Sequence, residues 1–159
     1  MVLALLLAGC GFRLRGTAEV PFESVYIPNA TAGIALDLKR NILAGTKAKV
    51  VDDPKDAEAV MQFTEETRQK EILSLTSAGR VREFLLRYRV GWRVHDSKGA
   101  DFVPQNTIAL TRDVTFNDTE ILAKEQEEQL LFRDMQTDMV QQIMRRLAAA
   151  KRPSVEKIE

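Results

Sequence analysis

Glu83-Phe84-Leu85-Leu86-Arg87-Tyr88-Arg89-Val90-Gly91-Trp92-Arg93-Val94-His95 is the stretch that decides the fold. Successive side chains of a strand point to opposite faces. Phe84, Leu86, Tyr88, Val90, Trp92 and Val94 therefore share one side, and Glu83, Arg87, Arg89, Arg93 and His95 share the other. Only Leu85 and Gly91 depart from the polar row. Period two held over so long a run describes a strand with one buried face and one polar face, as in an antiparallel sheet covered on one side.

Turn chemistry brackets this strand. Ser77-Ala78-Gly79 precedes it, and Asp96-Ser97-Lys98-Gly99 follows it as a hairpin turn. The next strand repeats the pattern, with Ile108, Leu110, Val114 and Phe116 against Thr107, Thr111, Asp113 and Thr115, and with Arg112 interrupting its apolar side. On the N-terminal side, Ala59, Met61 and Phe63 alternate with Val60, Gln62 and Thr64, beginning a strand that runs toward Leu75. Further back, Ser24-Val25-Tyr26-Ile27 is a short strand ended by Pro28-Asn29. Ile34, Leu38 and Ile42 recur at helical spacing, with Thr31 placed to cap that helix and Gly45 to end it. Lys49-Val50-Val51 extends briefly at most before Asp52-Asp53-Pro54.

Asn117 and Glu120 make a start resembling a capping box for a last helix, whose apolar stripe is Phe132, Met135, Met139, Ile143 and Leu147. Residues 124–129 are wholly polar, so a regular helix is expected only after them. The element order is thus β-α-β-β-β-α. The simplest arrangement is an α+β two-layer sandwich, with two helices packed on one face of a four-stranded, mainly antiparallel sheet and the other sheet face open.

The chain has 159 residues, with 23 Lys plus Arg balanced by 23 Asp plus Glu, so net charge gives no nucleic-acid footprint. With 45% hydrophobic residues, five prolines and eight glycines, it has the composition of a folded domain. Cys10 is its only cysteine, which excludes an intramolecular disulfide framework and a Cys-rich metal site. It stands at the end of the apolar run Met1-Val2-Leu3-Ala4-Leu5-Leu6-Leu7, after the small residues Ala8 and Gly9. Leu7-Ala8-Gly9-Cys10 resembles the lipobox of bacterial lipoproteins, in which the cysteine becomes the diacylated and N-acylated first residue. The expected divisions are a signal peptide over 1–9, a lipidated tether over 10–22, one domain over 23–150 and a flexible tail over 151–159. The leader is short and lacks a basic residue, which suggests a truncated start. Two or more acyl chains hold a protein on a membrane without spanning it. No later stretch approaches the apolar length of a transmembrane helix. By resemblance to lipoprotein sorting, Gly11 after the cysteine points to the outer membrane, on the periplasmic side. Arg13 and Arg15 lie in the tether, either beside anionic headgroups or in a solvated linker.

Candidates for catalysis are sparse. His95 is the only histidine, near a turn, and no nucleophile can be tied to it from the sequence. Glu125, Glu127 and Glu128 read as a solvated face rather than a metal site, and Trp92 reads as core. No glycine loop suited to phosphate is present. The composition therefore argues against an enzyme, a resident cofactor or a metal; the acyl groups on Cys10 are the only attached chemistry expected. What remains is a row of cations, Arg87, Arg89 and Arg93, on the polar sheet face, with Arg80 and Arg82 beside the turn at Ser77. Arginine forks match phosphate and carboxylate geometry, although a solvated face is the plainer reading.

Cys10-Gly11-Phe12-Arg13-Leu14-Arg15-Gly16, followed by Val20-Pro21, resembles the start of the LptE family of lipopolysaccharide-assembly lipoproteins. The likeness continues through Ser77-Ala78-Gly79, Leu122-Ala123-Lys124-Glu125 and Ile143-Met144-Arg145-Arg146-Leu147. The resemblance implies the same two-layer sandwich in the Gram-negative outer membrane. It further implies a plug in the lumen of the barrel LptD that helps the barrel assemble and binds lipopolysaccharide through basic residues near the sheet's tip. Lys124 matches a family lysine after Leu-Ala. The family's basic residue before the middle turn falls at Ser77, a departure that leaves Arg80 and Arg82 as the cations at hand. The arginines of the central strand are expected to face the barrel. A scaffold that holds a barrel and binds no lipid is the alternative.

Overall fold

Five strands and two helices make two layers in the computed structural model, which describes residues 19–153. In chain order the elements are β1 (Ser24–Tyr26), α1 (Gly33–Gly45), β2 (Lys49–Val51), β3 (Ala59–Leu75), β4 (Val81–His95), β5 (Asp101–Thr115) and α2 (Ile121–Ala149), with a 3-10 turn at Pro54–Asp56. The strands lie in the order β2-β1-β3-β4-β5. β4 is central to the long part of the sheet, and its alternation holds: Leu86, Tyr88, Val90, Trp92 and Val94 are all fully buried. They share one core with Ile34, Leu38 and Ile42 of α1 and with Met135, Met139, Ile143 and Leu147 of α2. The expected sandwich stands.

The strand count is five rather than four. Lys49–Val51 is a strand, pairing in parallel with β1 through Ser24↔Lys49, Val25↔Val50 and Tyr26↔Val51. Three residues are too few for periodicity to register; the hydrogen bonds of the neighbouring strand hold them extended. β1 also pairs in parallel with the start of β3, so the sheet is mixed and only β3-β4-β5 is antiparallel. Phe22, at the end of the expected tether, belongs to the core and meets Phe102 edge-on at 5.7 Å between ring centroids. Glu58 accepts the Glu23 N–H at 2.8 Å and pairs with Arg152 at 3.0 Å, joining both ends of the described chain at the base of the sheet.

β3 changes phase halfway. Phe63 stands opposite Trp92, but Glu65 stands opposite Gly91, so Thr64 is the extra residue of a β-bulge. One inserted residue exchanges the two faces of everything beyond it. Glu66, Arg68, Lys70 and Ile72 consequently pair with Val90, Tyr88, Leu86 and Phe84 on the helix side, while Glu65, Thr67, Gln69 and Glu71 turn to the open face.

That exchange explains why α2 is regular through residues 124–129, where the sequence led us to expect otherwise. The polar start of the helix lies over the polar half of β3. Lys70 donates to Glu128 at 2.6 Å, and Arg68 donates to Gln136 at 2.5 Å. Gln136 donates in turn to Asp37 of α1 at 2.5 Å. On β5 the interrupting Arg112 meets Asp138 of α2 at 2.8 Å. Neither expected cap forms. α1 begins behind Ala32 without a side-chain bond, and α2 begins behind Glu120. Asn117 instead accepts from the Thr119 N–H at 3.2 Å, closing a turn ahead of the helix.

Tyr88 sits in this polar seam. Its hydroxyl donates to Glu66 at 2.7 Å, and the Arg68 guanidinium stacks 4.7 Å from its ring centroid. Burial pushes the phenol pKa far above its ordinary value; Arg68 opposes this and Glu66 reinforces it. Above pH of about 10 the unfolded chain ionises this group while the folded protein keeps it protonated. The stabilisation is therefore complete below that pH and is lost as pH rises past it, with a slope of up to about 1.4 kcal/mol per pH unit. Denaturant titrations between pH 9 and 12 should show a shallower alkaline loss for Tyr88→Phe than for the natural chain.

Candidate functional site

The end of the sheet farthest from the two ends of the described chain is the turn between β3 and β4. Thr76 N–H donates to the Arg80 carbonyl at 2.7 Å, Gly79 N–H donates to the Thr76 carbonyl at 2.9 Å, and Arg80 N–H donates to Thr76 Oγ1 at 3.2 Å. Gly79 takes φ of 75°, the left-handed conformation glycine adopts without strain. Ser77 is exposed on this turn. Arg80 lies 3.7 Å from Asp118, and Arg82 lies 3.9 Å from Glu83, with side chains 71% and 66% exposed. Exposed pairs at such distances are worth less than about 1 kcal/mol, so both guanidinium groups are available to an outside anion.

Lys124 stands in the first turn of α2. Its ammonium donates to Thr115 at 3.1 Å and to Glu127 at 2.8 Å, and its side chain is only 18% exposed. The structure thus gathers Ser77, Arg80 and Arg82 on one turn, and Arg80–Asp118 ties that turn to the segment entering α2. Lys124 is turned inward to local partners.

The arginine row on the open sheet face is a ladder of ion pairs. Arg87 lies 3.6 Å from Glu71, Arg89 lies 3.8 Å from Glu65, and Arg93 lies 3.6 Å from Asp101. Glu71 and Glu65 escaped the sequence reading because the bulge at Thr64 decides which β3 residues share the arginines' face, and Asp101 because it reaches Arg93 only through the pairing of β5 with β4. A second feature also escaped it. Ile72, Leu73, Leu75, Ile121 and Leu122 are exposed at the turn end. Its signal is the run Ile72-Leu73-Ser74-Leu75, too apolar for one buried face of a period-two strand.

His95 is half-buried, with Nδ1 2.7 Å from the Asp96 carbonyl. It borders a groove of about 580 Å³ shared with Tyr26, Pro28, Ile34, Phe63 and Glu66. Among the described residues there is no cluster of three metal-ligating side chains, and no helix is long and apolar enough to cross a membrane. Cys10, Arg13 and Arg15 lie outside the described residues.

Residues 21–147, which include all five strands and nearly all of α2, match the protein family described as LptE, Lipopolysaccharide-assembly. The chain belongs to that family. Among its LptE relatives, the LPS-assembly lipoprotein LptE of Yersinia enterocolitica is 31% identical over 148 residues, covering 90% of this chain and 70% of the relative. The protein of the same name from Photorhabdus laumondii is 25% identical over 146 residues, covering 90% and 79%. The solution structure of lipoprotein B from Nitrosomonas europaea superposes with a TM-score of 0.75 at 48% identity, covering 87% of this chain and 91% of that one. LptE membership and this likeness agree with the two-layer sandwich expected from the sequence.

Proposed function

We propose that this LptE-family chain is an outer-membrane lipoprotein on the periplasmic side. Acyl chains on Cys10 hold it there, its open sheet face seats inside the barrel LptD and assists that barrel's assembly, and its turn end binds lipopolysaccharide during delivery to the outer leaflet. The family match across the whole sandwich carries this reading.

Dimensions support it. β3 runs 17 residues from the base, where both ends of the described chain lie, to the turn. At strand rise this is about 50 Å, against about 30 Å for the hydrocarbon of a bilayer. A domain tethered at its base and standing upright in a barrel lumen therefore carries Arg80 and Arg82 to the far side. Barrel interiors are polar, and the open face is polar. The role is assembly and binding rather than catalysis, with no cofactor beyond the acyl groups.

Pull-down from solubilised outer membranes, with mass spectrometry of the partner and of the mature N-terminus, tests the anchor and the barrel together. The expected result is an acylated Cys10 at the N-terminus and a co-purifying barrel. For the lipid, Arg80→Glu with Arg82→Glu should reduce lipopolysaccharide binding by roughly tenfold or more, since each charge-assisted bond to phosphate contributes on the order of 1.5–3 kcal/mol. An unchanged melting temperature verifies the fold, and unchanged binding rejects the basic site. The acids beside each cation, Asp118, Glu83 and Glu127, favour one alternative: a scaffold that holds the barrel and binds no lipid. Co-purification of the barrel without lipopolysaccharide affinity would establish it.

A further inference from the structure

Five of the seven large apolar side chains exposed among the described residues stand at one end of the molecule. They are Ile72, Leu73 and Leu75 at the end of β3, and Ile121 and Leu122 at the start of α2, with Leu122 the most exposed at 77%. Both groups lie at the turn end of the molecule. Lys70 and Glu128 join the strand to the second turn of the helix just short of Ile72, and Arg80 and Asp118 join the turn to the segment before Ile121. Ile72 stands opposite Phe84, whose ring meets Phe116 edge-on at 5.3 Å. Arg80 and Arg82 border it.

We infer that this end is an acyl-chain subsite: Ile72, Leu75 and Leu122 cover hydrocarbon tails of the glycolipid whose phosphates Arg80 and Arg82 meet. The inference rests on the lipopolysaccharide-binding reading above and adds which part of the ligand supplies the affinity. The cations here have acids beside them, whereas the apolar residues have no cover. A soluble domain gains nothing by exposing such a cluster, and grouped apolar surface rimmed by polar residues marks an interaction site. Anionic headgroup and hydrocarbon in one ligand match cations and hydrocarbon at one end of the protein. A polar lumen wall matches only the cations.

The full chain carrying Cys10→Ser tests this with two probes: lipopolysaccharide, and the same molecule fully deacylated, which keeps its sugars and phosphates. The natural side chains should bind the acylated form at least tenfold more tightly, because burying one leucine is worth about a factor of ten or more. Leu75→Ser with Leu122→Ser should abolish that preference and leave deacylated binding unchanged. Arg80→Gln with Arg82→Gln should weaken both. Thermal melts of the serine variant should match the parent, since both leucines are exposed. A photo-activated side chain at position 122 should crosslink to the acylated probe alone. Equal binding of both probes, an unaffected serine variant, or crosslinking at 122 to the barrel in whole membranes overturns the subsite and leaves the basic site standing. Failure of the unsubstituted protein to bind either probe overturns the lipid-binding reading itself.

Discussion

Gly91→Ala should lower the stability of the domain by about 1–3 kcal/mol, and Gly91→Val by more, the usual range for forcing extra volume into a filled site. A Cβ at Gly91 stands 2.6 Å from Thr64 Oγ1, 3.3 Å from Glu65 Cβ and 3.4 Å from Glu65 N. Thr64 cannot easily withdraw. Its hydroxyl accepts from Gln105 of β5 at 2.7 Å, so the side chain lies across β4 over the gap that glycine leaves. Glu65 is backbone-paired opposite Gly91 in the ladder. Strand propensity acts the other way, since alanine and valine are better strand formers than glycine by up to about 1 kcal/mol, and the steric term is the larger. At this size each kcal/mol moves the melting temperature by about 2–4 °C, so calorimetry resolves even the alanine effect. Repeating Gly91→Ala in a Thr64→Ala background removes the oxygen at 2.6 Å, and part of the loss should return as a coupling of about 0.5 kcal/mol or more. A melting temperature unchanged by Gly91→Ala would show that the bulge needs no glycine beside it.

The pair Thr64 and Gly91 also marks where sequence reasoning runs out. β4 could be read outright, because Phe84, Leu86, Tyr88, Val90, Trp92 and Val94 fill every second place and no pairing is needed to see it. The bulge could not: Thr64 is an ordinary strand residue, and the glycine that accommodates it sits on another strand. With the bulge unseen, Arg68 and Lys70 had no reason to face a helix, and the polar start of α2 looked like a loss of order rather than its complement. β2 was missed because Lys49-Val50-Val51 is held by β1 rather than by its own pattern. The turn at Ser77 and the cations beside it were legible, since Gly79 and the charges are local signals. Asp118 was not, because it meets Arg80 only where β5 pairs with β4 and brings the Phe116 N–H to the Arg82 carbonyl.

If the open face seats in a barrel as proposed, exchanging the charges of its ladder should leave the domain folded and separate it from that barrel. Reversing Arg87 and Arg89 alone would set glutamates beside Glu71 and Glu65 and confuse lost stability with lost contact. The fourfold variant Arg87→Glu, Glu71→Arg, Arg89→Glu, Glu65→Arg keeps both pairs, now found at 3.6 and 3.8 Å, and inverts their polarity. Exposed pairs contribute about 0–1 kcal/mol each, so the melting temperature should move by a few degrees at most. A partner surface behaves differently. The present distances exceed hydrogen-bond length, which leaves guanidinium N–H groups for acceptors outside the domain. Inversion places a carboxylate wherever the lumen offered an acceptor, and like charges at a matched interface cost several kcal/mol. On the proposed function, co-purification of the barrel should therefore fall by an order of magnitude or more, and lipopolysaccharide binding at the distant turn should stay as it was. If the inverted ladder still brings the barrel down in full yield, the face serves only to hold β3 against β4, and the barrel must be gripped by the helical layer instead.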